Sequence, residues 1–301
     1  MSKTIVVAGA TGNLGGKIVQ ALLAKGATVK ALVRLTTDKE KIKKLQDEGV
    51  IVCQIDTNNK GEIVKHCLGA HCVVSALSGL RDTIIDAQKI LLDAGVEAKV
   101  PKFIPSDYAI DFTNLVVGQN RNLDWRREFH TYVDAANINA TTIFNGPFMD
   151  LLTTDMPLIL FKKKRILCWG NPNQLMEFTT TENIAAFTAE VALDDITPRY
   201  MHIAGDRMSC NDFVQLLTEL TGEKYKLFRP GGIGLLNVLI KITRFFSPGK
   251  NELYPAWQGM QYMRDMMEGR IIFKDYDNDK YSNIKLTSVK EFLGKEKGYK
   301  M

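Results

Sequence analysis

The sequence predicts an α/β protein built on a doubly wound parallel sheet, with a smaller lobe on its C-terminal side. Three observations predict it. Short β-branched runs alternate with helical patterns through the first half of the chain. The first of these runs feeds a glycine-rich turn that opens a helix. Beyond about residue 145 the regular alternation stops.

The bulk composition narrows the classes. A chain of 301 residues, 45% hydrophobic and 24% charged, can bury a sizeable core. A net charge of +5 suits an anionic small molecule and is too small and too scattered to argue for nucleic acid. The five cysteines (Cys53, Cys67, Cys72, Cys168 and Cys210) form no CxxC or Cys/His ligand spacing, and the four histidines (His66, His71, His130 and His202) are scattered. Free thiols in a reducing compartment, no metal and a cytoplasmic location are therefore expected. With a strand pattern from Lys3 onward, no signal peptide is expected, and no apolar run reaches the ~18 residues that a membrane span needs.

The first strand is Lys3-Thr4-Ile5-Val6-Val7-Ala8. The turn is Gly9-Ala10-Thr11-Gly12-Asn13-Leu14-Gly15-Gly16, and Lys17–Leu23 continues as a helix. In this setting Gly9 permits the sharp bend, Gly12 lets a pyrophosphate approach the backbone, and Gly15 lets the helix pack close to the sheet. Free N–H groups and the positive end of the helix dipole then face the anion. The spacing is GxxGxxG rather than the commoner GxGxxG. Gly9, Thr11, Gly12, Asn13, Leu14 and Gly15 are the candidate phosphate-binding residues of a Rossmann-type dinucleotide site. Thr28–Arg34 reads as the second strand. A site for NAD usually places an acid near the end of this strand, to bind the ribose 2′-hydroxyl. Here the end is Val33-Arg34, and Arg34 can fork onto a 2′-phosphate. Lys39, Lys41, Lys43 and Lys44 follow on the next helix. The reading is NADP(H).

Val50–Ile55, ending at Asp56, is a third strand. Cys72–Ala76 is a fourth, with Leu77-Ser78-Gly79 as its loop. A helix over Arg81–Ala94 leads to the fifth strand and its end, Lys102–Ser106. A helix over about Arg121–Ala136 leads to the sixth, Ala140–Phe144. In parallel sheets ligands sit at the carboxyl ends of the strands. Asp56, Ala76, Leu77, Ser78, Pro105 and Ser106 therefore join the candidate cofactor-binding set.

The second half is less regular. Lys162-Lys163-Lys164-Arg165 reads as an exposed turn, and Thr179–Asn183 as a capping-box-like start to a helix over Ile184–Leu193. Tyr200–Ile203 is expected to return a strand to the main sheet, and Ser209–Leu220 to form a helix capped by Ser209 or Asn211. Gly232–Phe246 is very apolar, broken by Asn237, Lys241 and Arg244, and reads as a buried or pocket-covering helix, with a role at a membrane surface as the alternative. The methionines and aromatics of Trp257–Met267 suit core, or a plastic apolar wall. The resulting organisation is a Rossmann-type domain over residues 1–150, with 179–205 returning to it, and a lobe for substrate or partner over 151–178 and 206–301.

These residues resemble the NmrA-like family of atypical short-chain dehydrogenases, which includes the isoflavone reductase-like and phenylcoumaran benzylic ether reductase-like enzymes. Gly9–Gly15 is similar to the family's cofactor loop, Val33-Arg34 to its NADP-selecting position, and Lys43 is placed like a second phosphate contact. Phe103-Ile104-Pro105-Ser106-Asp107-Tyr108 resembles an F-x-P-S-E-F segment. Thr179–Ala185 resembles a T-x-x-D-I-A/G stretch, and Leu286–Leu293 the family's C-terminal end. One departure stands out. The reductase members carry a catalytic lysine on the helix after the fifth strand. Here counting back along that helix from Asn137–Thr141 lands on Glu128, and no lysine occurs between Lys102 and Lys162. The Y-x-x-x-K pair of ordinary short-chain dehydrogenases is missing too, since Tyr108 is followed four residues later by Phe112 and Tyr132 by Ala136.

The resemblance implies an NADP(H)-dependent reductase of a small apolar carbonyl, quinone or phenolic-ether-like substrate. Its alternative is a catalytically silent dinucleotide sensor acting through a protein partner, the role that NmrA itself implies. A bound cofactor would supply the hydride, leaving the protein to position a substrate and manage a proton. Tyr108 is a candidate donor. Asp107 and Glu128 are candidate acid/base groups if desolvated, and Arg126 or Arg127 candidate anion binders.

Overall fold

The computed structural model describes residues 2–154, 156–271, 273 and 275–295. Its chain divides into two compact units. The first gathers 1–108, 125–143 and 184–201, and the second 109–124, 144–183 and 202–301. The two are of comparable length, because the second collects an excursion after the fifth strand as well as the C-terminal stretch.

The first unit holds a six-stranded parallel sheet. Its strands are β1 (Thr4–Ala8), β2 (Thr28–Arg34), β3 (Ile51–Ile55), β4 (Cys72–Ser75), β5 (Lys102–Ile104) and β6 (Asn139–Ala140), in the spatial order β3-β2-β1-β4-β5-β6. Between them run α1 (Asn13–Ala24), α2 (Lys39–Asp47), α3 (Lys60–Cys67), α4 (Gln88–Glu97) and α5 (Arg121–Ala135). The order reverses at β1/β4, the switch point where such sheets bind ligands. Every residue of β1 beyond Thr4 is buried, as expected of a central parallel strand covered on both faces. Val6 and Ala8 pack in one cluster with Ile63 and Cys67 of α3, Leu91 and Leu92 of α4, and Phe129 and Val133 of α5. Ile5 and Val7 alternate with them and point to the opposite face.

Two sequence expectations change here. The fourth helix begins as a π-helix over Asp82–Ala87 before settling into α4. The sixth strand breaks at Thr141, whose hydroxyl bonds Thr197 and the Pro198 carbonyl. Only β6 joins the main sheet. The remainder, β7 (Thr142–Phe144), pairs instead with β11 (Tyr200–His202), so the returning strand does not extend the six-stranded sheet directly. Lys102, the first residue of β5, is buried and donates to the Val191 and Asp194 carbonyls at the end of α6 (Thr181–Leu193). This satisfies the C-terminus of that helix with a cation.

The second unit is built from short strands: β8 (Ile159–Leu160), β9 (Arg165–Trp169), β10 (Met176–Phe178), β12 (Asp206–Met208) and β13 (Lys226–Gly231). They form a β13-β9-β8 sheet and a β10-β12 pair. The basic run turns the chain between β8 and β9, with Lys164 in the left-handed region. The helices are α7 (Cys210–Thr221), α8 (Ile233–Phe246), α9 (Ala256–Met267) and α10 (Val289–Lys295). Trp257, Met263, Met266 and Met267 of α9 are core residues. The same helix carries a buried polar set, in which Asp265 accepts from Asn120 at 2.7 Å and from Arg264. The apolar α8 departs from expectation. Only Leu236 and Ile240 are buried, while Leu235, Val238, Ile242, Phe245 and Phe246 are exposed.

Ser209 closes a reciprocal capping box with Asp212 at the start of α7. Ser209→Ala should lower stability by about 1 kcal/mol, the ordinary worth of such a cap. Urea denaturation of the two proteins measures it, and an unchanged midpoint would mean that the cap contributes nothing.

Candidate functional site

The site is built where β1, β4 and β5 end, inside the first unit. Gly9 follows β1 with φ +86°, a left-handed backbone that favours glycine. A methyl group there would also sit 2.5 Å from the Ala76 carbonyl oxygen. Gly15, in the first turn of α1, lies so close to the loop that a methyl group would overlap the Gly9 carbonyl. The Gly12 amide donates to Gly9 O at 3.0 Å and closes the turn. Gly12 is the N-cap of α1 and offers no side chain to it, and no acid lies in the helix's first turn. The leading amides of Asn13 and Leu14 are thus unclaimed by any side-chain cap, and Thr11, Gly12 and Asn13 are exposed. Helix geometry leaves such amides without an intrahelical acceptor, and the dipole makes their surroundings favour negative charge.

The neighbouring strand ends are tied to this turn. The Ala76 amide donates to Ala8 O at 2.8 Å. The Ser106 hydroxyl donates to Leu77 O at 2.7 Å, and the Ser106 amide to Gln88 Oε1 at 2.9 Å. Arg126 Nε reaches the Ser106 carbonyl at 3.2 Å. Ala76, Leu77, Pro105 and Ser106 are therefore brought together beside the glycine turn, with Ser78 exposed next to them.

The residues chosen for a phosphorylated ribose lie along the β2 and β3 edge. Arg34 is exposed at the end of β2. The nearest following acid, Asp38, is occupied as the N-cap of α2, accepting from the Glu40 and Lys41 amides. Lys43 is exposed and forms an i,i+4 ion pair with Asp47 at 2.6 Å. Asp56 holds its own loop, accepting from the Asn58 amide at 3.0 Å.

The three proton-transfer candidates have different fates. Glu128 pairs with Arg81 at 2.5 Å on a partly exposed face of α5. Tyr108 is buried, and burial pushes its phenol well above the usual range, an effect that the Thr188 hydroxyl beside it offsets only in part. Asp107 is fully buried. Its Oδ2 lies 2.6 Å from His130 Nε2 and accepts from the Thr142 hydroxyl at 3.1 Å. Thr142 Oγ1 accepts in turn from Arg199 Nη1 at 2.8 Å, and Arg199 Nε donates to Asp134 at 2.9 Å. The Arg199 guanidinium also lies over the Tyr200 ring. Asp107 Oδ1 is buried with no partner among the described residues.

His130, Thr142 and Arg199 escape a reading of the sequence. One signal existed: His130 falls on the buried stripe of α5 with Leu123, Phe129 and Val133. A buried imidazole hydrogen-bonded to a buried carboxylate fixes the peptide that leaves β5.

The model of the NmrA-like family matches residues 1–246. A probable pinoresinol-lariciresinol reductase 3 of Arabidopsis thaliana is 26% identical over 221 residues, 70% of this chain and 71% of that protein. An isoflavone reductase of Pisum sativum is 23% identical, covering 96% of this chain and 97% of its own. Among solved structures, AtPrR2 with NADP+ and (+)pinoresinol superposes with a TM-score of 0.83 at 22% identity, over 98% of both chains. The NADPH-dependent quinone oxidoreductase QOR2 of Escherichia coli, complexed with NADPH, superposes at 0.77 with 16% identity, over 96% of this chain and 98% of that one. At these identities the superpositions speak for the fold.

Removing the acceptor from a buried polar set leaves its donors unsatisfied. Asp107→Ala should therefore cost about 2 kcal/mol or more of stability, whereas Glu128→Gln should leave the unfolding midpoint nearly unchanged. Chemical denaturation of both variants checks this, and equal effects would contradict the burial pattern.

Proposed function

The chain belongs to the NmrA-like family, and from that premise we propose that it is an NADP(H)-dependent oxidoreductase acting on a small, apolar, electron-poor acceptor. The observation that carries the reading is the Gly9–Gly15 turn. Its two close backbone approaches leave no room for a Cβ and bring the start of α1 to the edge of the sheet, and its helix offers amides that no side chain caps. These features fit a pyrophosphate. In this reading Gly9, Thr11, Gly12, Asn13, Leu14 and Gly15 hold the pyrophosphate. Arg34 takes the 2′-phosphate, with Lys43 as a second contact after leaving Asp47. Asp56, Ala76, Leu77, Ser78, Pro105 and Ser106 hold the rest of the cofactor. The names of the reductases to which the chain is similar, and the NADP+ and NADPH in the structures that it resembles, support the same reading.

When bound, the reduced cofactor supplies a hydride. The proton that must follow narrows the acceptor. The family's lysine is missing, Glu128 is held by Arg81, and the Tyr108 hydroxyl is buried. A quinone needs no side-chain acid, because its reduced oxygens take protons from water. An unactivated carbonyl or an ether leaving group needs a positioned donor. A quinone-like acceptor is therefore the substrate class that these residues suit best, with the buried Asp107–His130 pair positioning the end of β5. The missing lysine equally favours a second reading, a dinucleotide sensor that binds NADP(H) without turning it over and signals through a protein partner.

Calorimetry with NADPH and NADH, followed by NADPH oxidation assays with a benzoquinone, an aldehyde and an enone, separates these readings. Arg34→Ala should weaken NADPH binding about tenfold or more, with little effect on NADH, as expected for loss of a charge-assisted contact. Gly12→Asp should abolish binding of both. Turnover with the quinone alone is the expected result. Tight NADPH binding with no turnover of any acceptor overturns the enzyme in favour of the sensor, and no binding overturns both.

A further inference from the structure

The sequence reads α8 first as a buried or pocket-covering helix and only second as a membrane-surface one, and its exposed apolar face has no role in the site above. Leu235, Val238, Ile242, Phe245 and Phe246 are all exposed, the last two at 81% and 79%. At 3.6 residues per turn these five fall within about 100° of arc, a continuous stripe along one side of the helix. The buried Leu236 and Ile240 point elsewhere on the circumference. A stripe of this kind marks a docking surface, since scattered single apolar residues do not line up.

Charge identifies what docks. From Lys224 to Lys250 the chain carries six cations (Lys224, Lys226, Arg229, Lys241, Arg244 and Lys250) and no aspartate or glutamate. Lys241 lies about 40° from the edge of the apolar stripe. Behind it, Lys241, Arg244, Arg264, Asn237, Gln119 and Gln261 line a cavity of about 250 Å³. Arg264 is neutralised by Asp265 at 2.5 Å, which leaves Lys241 and Arg244 facing that space as the cations without a carboxylate beside them in sequence. This space has room for a phosphate group beside the two cations. A second copy of the chain is a poor occupant. A two-fold contact apposes the same patch on both subunits, so these cations would meet one another.

We propose that α8 is an interfacial anchor for membranes carrying anionic phospholipid, with the aromatic stripe in the headgroup–acyl boundary and a lipid phosphate held by Lys241 and Arg244. No helix among the described residues is long and apolar enough to cross a bilayer, so the contact is in the plane of the surface. Basic residues beside the stripe add attraction to anionic lipid that salt screens.

Co-sedimentation with phosphatidylcholine vesicles, alone and doped with phosphatidylserine, tests it on the intact chain. The expected result is salt-sensitive binding to the doped vesicles only. The double variant Phe245→Ser/Phe246→Ser should weaken it about tenfold or more, given the apolar surface removed. The variant Lys241→Glu/Lys250→Glu should do the same while keeping both phenylalanines, and circular dichroism confirms that each is folded. Absence of binding to the doped vesicles, or equal binding to neutral ones, overturns the proposal. So does a concentration-dependent dimer that the phenylalanine variant dissolves without any vesicle binding, which would assign the face to self-association.

Discussion

Two backbone segments in van der Waals contact hold the functional end of the first unit together. The amino end of α1 rests on the Gly9 carbonyl through Gly15, and Gly9 in turn rests on the Ala76 carbonyl. No side chain takes part, so the contact is fixed by the absence of atoms. Its consequences run outward. It brings α1's leading amides to the carboxyl edge of the sheet, and the Ala76–Ala8 hydrogen bond locks the end of β4 to the end of β1. The Ser106–Leu77 bond carries the same edge on to β5. A methyl group at either glycine would push one of these strand ends away, and the edge would lose its shape before any catalytic side chain was touched.

What could be read from the sequence was local. The glycine turn, the β-branched strands and the helix over 121–135 depend on neighbours within a few residues, and the structure has them where the pattern puts them. The cap at Ser209 is of the same kind. What could not be read was assembled from distant segments. Asp107, His130, Thr142 and Arg199 come from a loop, a helix and two strand ends, and no spacing rule joins them. The sixth strand looks continuous as a β-branched run, yet it breaks at Thr141 because a hydroxyl there bonds Thr197 and the Pro198 carbonyl instead. Arg81 and Glu128, 47 residues apart, decide between a free acid and a surface ion pair. For α8, hydrophobicity alone suggested burial. Which face is covered is a tertiary fact, and only two of its apolar residues turned out to face inward.

The buried Asp107–His130–Thr142–Arg199 set is better understood as a device for position than for stability. Apolar residues of the same volume would satisfy the core at least as well, because desolvating a carboxylate offsets most of what its partners return. What apolar contacts lack is direction. Asp107 stands one residue beyond Ser106, so an imidazole at 2.6 Å and a hydroxyl at 3.1 Å fix where Ser106 and Pro105 lie. The hydroxyl is itself oriented by Arg199, whose other side is held by Asp134. The chain of bonds thus runs from a surface ion pair to the end of β5. It sets the one strand end that the glycine turn does not reach directly. The two devices divide the labour, since close backbone contact fixes β1 and β4 while directional polar contact fixes β5. Together they fix the carboxyl ends of β1, β4 and β5 as one rigid edge.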